Sequence, residues 1–300
     1  MDWWVALGGL IVGFVVGLTG MGGGALMTPL LIVGFGVQPL AAVSSDLVAS
    51  LVMKPFGAGV HLKHGTVNMS LVRWLVIGSV PAAFCGVLLL EWLGSDLNSD
   101  LSTLLGIALL LAGGAIVART AIQRRRGIVS GEAGAQHALT IRPLPTVLIG
   151  IVGGLVVGIT SVGSGSLMIV FLLLLYPSLS AGQLVGTDLV QAIPLVASAA
   201  LGHILFGDFQ LGLTTSILVG AIPGTYLGAR LSSRAPDAVI RPVLVAVLAL
   251  SGLKLLGMSN TGLFVAAAAA AVVLLTAFVI AASRRRLPAR AGKQSVTQTV

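Results

Sequence analysis

Charge is scarce in this chain. Only 9% of its 300 residues are Asp, Glu, Lys or Arg, against about 25% in a soluble domain, so a water-facing surface cannot be covered. Cysteine is reduced to Cys85, which excludes an intrachain disulfide and a cysteine-built metal site. The 40 Gly show no three-residue period, so collagen is excluded. Intrinsic disorder requires high charge and few apolar residues, whereas 56% of this chain is hydrophobic. No Walker motif is present, so ATP hydrolysis is not expected. Neither a cofactor nor a metal is implied.

What is present is long apolar sequence, with a mean hydropathy of +1.07. The runs are continuous rather than alternating, which favours helices over a membrane barrel. An all-α polytopic membrane protein remains. Asp2, Trp3 and Trp4 stand where a signal peptide would be basic, so no cleavable leader is expected. The net charge of +8 does not indicate a nucleic-acid partner. The basic residues sit in short loops between apolar stretches, the pattern that encodes membrane orientation.

Trp3 to Ser45 and Pro143 to Thr187 contain no charged residue. As unbroken helices each would extend roughly 60 Å, about twice the ~30 Å hydrocarbon core. Each therefore breaks, the first at Thr19, Gly20, Met21, Gly22, Gly23 and Gly24, the second at Thr160, Ser161, Val162, Gly163, Ser164, Gly165 and Ser166. The breaks belong to an internal repeat. Residues 13–27 align with 154–168 at an offset of 141, with nine identities in fifteen. One inserted residue makes the offset 142, which places Asp46 on Asp188, His61 on His203, Gly78 on Gly220, Pro81 on Pro223 and Gly86 on Gly228.

Further spans are expected near 39–61, 71–93, 101–118, 182–206, 211–230, 239–257 and 262–282. Basic loops fall at 63–73, 119–142, 230–241 and 284–293. All four can face the cytoplasm only if 144–175 returns to the side it entered. That segment is then a hairpin, and by the repeat so is 5–36. The expected architecture is an inverted-topology repeat with two broken-helix hairpins and about seven further spanning helices. Its parts are a first membrane repeat over 1–118, a basic cytoplasmic loop over 119–143, a second repeat over 144–258, an additional C-terminal transmembrane helix over 259–283 and a cytoplasmic tail over 284–300. The N-terminus is expected outside and the C-terminus inside.

Paired half-helices in inverted repeats mark a transporter's binding site. The amides and dipole at the start of a helix favour an anion. The breaks add hydroxyls at Thr19, Thr160, Ser161, Ser164 and Ser166 and contain no carboxylate. The alternative is close helix packing through small residues. Asp46 and Asp188, preceded by Ser45 and Thr187, lie inside apolar spans, either as proton carriers or supports of the breaks, or as helix N-caps. Lys54 either counters an anionic substrate or snorkels to the interface. His61 and His203 suit proton transfer or an ordinary span end. Gln191, three residues after Asp188, shares its helix face.

Gly17-Leu18-Thr19-Gly20-Met21-Gly22-Gly23-Gly24 followed by Pro29 and Ser45-Asp46, with its degenerate second copy, resembles the sulfite exporter TauE/SafE family over about residues 5–257. The resemblance implies a multi-pass transporter of the bacterial inner membrane. Its cargo would be a small sulfur-containing anion such as sulfite or an organosulfonate, usually exported. It points to 19–24 and 161–166 as the substrate-facing breaks. It implies membrane lipid as the surroundings and leaves the oligomeric state open. Alternating access is the expected mechanism and an enzyme is not expected. A passive anion channel is the alternative, with an intramembrane serine hydrolase using Ser164 or Ser166 and His203 further behind.

Overall fold

The computed structural model describes residues 2–19, 23–93, 97–125, 140–231 and 237–269. The described chain is helical and lacks strands. Helix α1 (Trp3–Thr19) precedes the first break. Beyond it α2 (Gly24–Pro29) passes directly into a π-helical turn, Leu30–Gly34. Then come α3 (Pro39–Lys63), α4 (Met69–Leu93) and α5 (Leu97–Arg125). The second half follows as α6 (Pro143–Thr160), α7 (Leu167–Leu175), α8 (Ala181–Phe206), α9 (Leu211–Leu231) and α10 (Asp237–Leu255). An eleventh helix, α11, opens at Asn260–Ala269.

Six described helices, α3, α4, α5, α6, α8 and α9, are long and apolar enough to cross a membrane. The chain is a multi-pass membrane protein. One expectation on span limits needs correction. Helix α5 does not stop near residue 118 but continues to Arg125, so the first residues of the expected basic loop are helical. Helix α10, Asp237–Leu255, covers the span expected near 239–257 to within two residues of its end. The continuation of the C-terminal helix, the tail and residues 126–139 lie outside the described residues.

The packing repeats the symmetry of the sequence. Helix α1 packs along α9 of the other half, and α6 packs along α4. Counterpart helices also meet directly, α3 with α8 and α5 with α10. The α1–α9 contact is close because its small residues interlock. A Cβ on Gly220 would lie 1.7 Å from the Ala6 carbonyl oxygen, and one on Gly13 would lie 2.5 Å from that of Ala221. Gly154 does the same against Ser79 in the α4–α6 pair, at 2.4 Å.

Both charge-free segments fold back. The backbone N–H of Arg142, at the start of the second hairpin, donates to the Tyr176 hydroxyl at its end, 2.9 Å away. In the first, a Cβ on Gly8 of α1 would stand 3.0 Å from the Leu30 and Phe35 side chains. The antiparallel α3–α8 pair fixes which ends share a face. At one end the Asn68 N–H donates to Thr187 Oγ1 at 3.0 Å, and at the other Gln210 N–H donates to Ser45 Oγ at 3.4 Å. These two bonds are repeat equivalents, joining positions 68 and 187 at one face and 210 and 45 at the other.

The chain direction then assigns the rest. Trp3, Trp4 and Trp92 lie exposed at one face, where such amphipathic rings suit a membrane interface. The described basic residues gather at the other face, at Lys63, Arg73, Arg124, Arg125, Arg142, Arg230 and Arg241. Lys54 and Arg119 inside the bundle and Lys254 at the end of α10 are the exceptions among them.

Candidate functional site

The second break is a built loop. Ser161 caps α6 in the left-handed region at φ 59°, and Gly163 and Gly165 follow at φ 123° and 95°. Without a Cβ, glycine reaches those angles at little cost. The Thr160 hydroxyl donates to the Val156 carbonyl at 2.6 Å and accepts the Val162 N–H at 3.1 Å, so it shapes the turn. Leu167 and Met168 then turn their N–H groups to the Gly163 carbonyl and α7 begins.

The two tips touch. A Cβ on Gly24 would stand 2.0 Å from the Ser161 carbonyl oxygen. Gly20, Met21 and Gly22 lie outside the described residues, and Thr19 closes α1. Gly23 stands in a roomier spot, since a Cβ there would meet Ser50 Oγ only at 3.7 Å.

Around this contact lies a buried polar cluster. Asp46, Ser50 and Lys54 follow one another at four-residue steps along α3, which stacks them on one stripe. Asp46 Oδ2 accepts the Ser161 hydroxyl of the second tip at 2.6 Å and the Thr28 hydroxyl of α2 at 3.0 Å. Ser50 also donates to this carboxylate. One carboxylate thus ties both hairpins to α3.

Lys54 Nζ donates to Ser164 Oγ, 2.8 Å away. Its charge acts on Asp188 and, less strongly, on Asp46. Lys54 is only 6% exposed, so it does not snorkel to the interface. On α8, Asp188 accepts the Gln191 amide at 3.1 Å and the Gly165 N–H. The Ser79 hydroxyl of α4 donates to Gln191 Oε1 at 3.4 Å. Arg119 of α5 adds a second positive charge acting on Asp188.

Asp46, Lys54, Ser161, Ser164, Gly165, Asp188 and Gln191 are therefore brought together, and Ser166 is buried on the same loop. The expected alternative of helix N-caps is corrected for both Asp residues: α3 begins at Pro39 and α8 at Ala181, and Ser180 caps the latter. Four other expected residues lie away from the cluster. Ser45 and Thr187 accept the N–H groups of Gln210 and Asn68, the residues just before α9 and α4. His61 is half-buried and bonds to Thr66 at 2.9 Å.

His203 is fully buried between Ser44 Oγ and the Gly158 carbonyl, 2.8 Å from each. A carbonyl only accepts, so Nε2 carries a proton, and Nδ1 is left to accept from Ser44. The Gly158 carbonyl falls in the last turn of α6, where it lacks an intrahelical partner. His203 is thus a tie between helices and bonds neither Ser164 nor Ser166, so the expected alternative of a hydrolase pair between them is not formed.

Thr28, Ser50, Ser79 and Arg119 were not anticipated in the cluster. Thr28 and Ser79 carry no local signal, because a lone hydroxyl in an apolar helix looks the same whether it faces lipid or core. Ser50 had one, the four-residue step between Asp46 and Lys54. Arg119 falls in the expected loop because α5 runs seven residues past the expected end at 118.

Comparison with known proteins follows this geometry. The family model described as sulfite exporter TauE/SafE matches residues 5–255. The chain belongs to the TauE/SafE family. The probable membrane transporter protein YjnA of Bacillus subtilis (strain 168) is 36% identical over 255 residues, covering 84% of this chain and 98% of its own length. A second protein of that strain, probable membrane transporter protein YdhB, is 26% identical over 248 residues, covering 82% of this chain and 96% of itself. No solved structure matches. As a TauE/SafE member the chain is a membrane transporter and not an enzyme.

Proposed function

We propose that this TauE/SafE protein is a secondary transporter that exports small sulfur-containing anions, such as sulfite or organosulfonates, across the bacterial inner membrane. Lys54 is the single observation that carries the reading. A buried ammonium in an apolar span is costly, and here it is held against the Gly/Ser tip of a re-entrant hairpin. The hydroxyls of the second tip and the start of α7 supply the neutral donors that an oxyanion needs. In the proposed orientation the basic face lies in the cytoplasm, with the N-terminus outside and the C-terminus inside.

Alternating access is supported by the closed centre. The tips are in contact, the cluster around them is buried, and the bonds that close it run between the two halves. Opening toward either face requires one set of those bonds to break while the other holds.

The test is flux of labelled sulfite, taurine and sulfoacetate in proteoliposomes, with and without a pH gradient. Saturable, protein-dependent movement of at least one of them is expected. Its absence across the panel overturns the substrate reading, and non-saturating flux with unitary currents overturns the carrier mechanism in favour of a channel.

A further inference from the structure

The two tips are related by the repeat, which invites the idea of two equivalent binding corners. The side chains argue otherwise. Under the offsets of 141 and 142, Ser164 falls on Gly23, Ser166 on Ala25, Gln191 on Ala49 and Lys54 on Val196. At these positions the corner at the second tip therefore holds an ammonium, two hydroxyls and an amide where the other holds only small or apolar groups. Each corner also holds one carboxylate, Asp46 at the first and Asp188, which accepts the Gly165 N–H, at the second. Both Lys54 and Arg119 act on Asp188, whereas Lys54 alone acts on Asp46, so the balance of charge favours an anion at the second corner.

One further observation marks the second corner. Ser166 stands immediately before α7, is 6% exposed, and its hydroxyl has no hydrogen-bond partner among the described residues. It does not cap its own helix. A buried hydroxyl left without a partner is destabilising, a loss that a bound acceptor removes. Two residues earlier on the same loop, Ser164 carries the Lys54 ammonium.

We propose that the chain holds one anion site, formed by Lys54, Ser164 and Ser166 at the start of α7, and that the first tip packs without binding. The proposal rests on the anion-transport reading and sharpens it. The ligand is a small oxyanion: one oxygen takes the ammonium and another takes the Ser166 hydroxyl. Because Lys54 belongs to the first half and Ser166 to the second, the anion bridges the two halves.

The experiment measures equilibrium binding of labelled sulfite to the full chain in nanodiscs, with thermal melting run in parallel. Ser166→Ala removes a hydroxyl that has no partner without ligand, so its Tm is expected to equal or exceed the parent's. Its Kd for sulfite is expected to rise roughly tenfold, the loss of one hydrogen bond to a charged group. Ser164→Ala is expected to weaken binding similarly, and a stoichiometry of one sulfite per chain is expected.

Binding by Ser166→Ala within twofold of the parent overturns the proposal. So does a loss in Gly23→Ala as large as in Ser164→Ala, or two sulfites per chain. A parent that binds sulfate but not sulfite or sulfonates, with that binding lost in Ser166→Ala, supports the corner and overturns the sulfur-anion reading. A parent that binds no oxyanion overturns both.

Discussion

At the scale of single residues the centre is a set of charges whose partners come from different helices. Asp46 shows why type alone is a poor guide to role. Its Oδ2 accepts from Thr28 and Ser161, so it holds the hairpins whether or not it also titrates. Asp46→Ala leaves three buried hydroxyls, those of Thr28, Ser50 and Ser161, without their acceptor and is expected to cost about 1–3 kcal/mol for each, read as a clear drop in Tm. Asp46→Asn keeps an acceptor oxygen and is expected to retain most of the stability. If transport in Asp46→Asn proteoliposomes nevertheless collapses, the charge itself serves the cycle; full flux reduces Asp46 to a tie. Lys54→Ala is expected to abolish sulfite flux and also to lower Tm, because it leaves Asp188 with a buried charge partner missing.

The helices show which local features were legible before folding. Both breaks, both hairpins and the pairing of positions 46 with 188 follow from run length and the repeat, since no helix of that length fits the hydrocarbon core. The role of the helix-borne glycines was not legible, because a glycine in an apolar helix reads equally as a contact or as tolerated. Only the packing shows that Gly220 rests on the Ala6 backbone and Gly154 on Ser79. Gly220→Ala forces α1 away from α9, since a Cβ 1.7 Å from a carbonyl oxygen has no room. The expected result is a fall in Tm of several degrees and poor recovery from detergent. Gly212→Ala, with open space around it and at the exposed start of α9, is expected to melt with the parent.

For the whole molecule the issue is sidedness. The bonds at 68–187 and 210–45 set the two faces of the bundle apart. The basic clustering on one of them predicts which is cytoplasmic. With Cys85 replaced by Ala, a cysteine at position 208 is expected to react with an impermeant thiol reagent added to intact cells. A cysteine at position 142 is expected to react only after permeabilisation. The reverse labelling pattern overturns the orientation while leaving the fold intact. The inverted repeat also accounts for the helix pairing, because α1 and α6 each lie along a helix of the opposite half. Each hairpin is thus braced by the other half, and relative motion of the halves acts on both tips together.

Length, hydropathy and the repeat were enough to establish a helical multi-pass protein with two doubled-back segments, because water exclusion from the bilayer core constrains backbone hydrogen bonding so tightly. Those features are one-dimensional: they depend on spacing along the chain. Which polar groups meet is a property of three dimensions. The tie from Thr28 to Asp46 to Ser161, the reach of Lys54 to Ser164, the placing of Arg119 near Asp188 and the structural bonding of His203 all depend on helix rotation and contact between distant segments. Tertiary packing alone decides these, because burial makes each polar side chain find a partner wherever the fold happens to supply one.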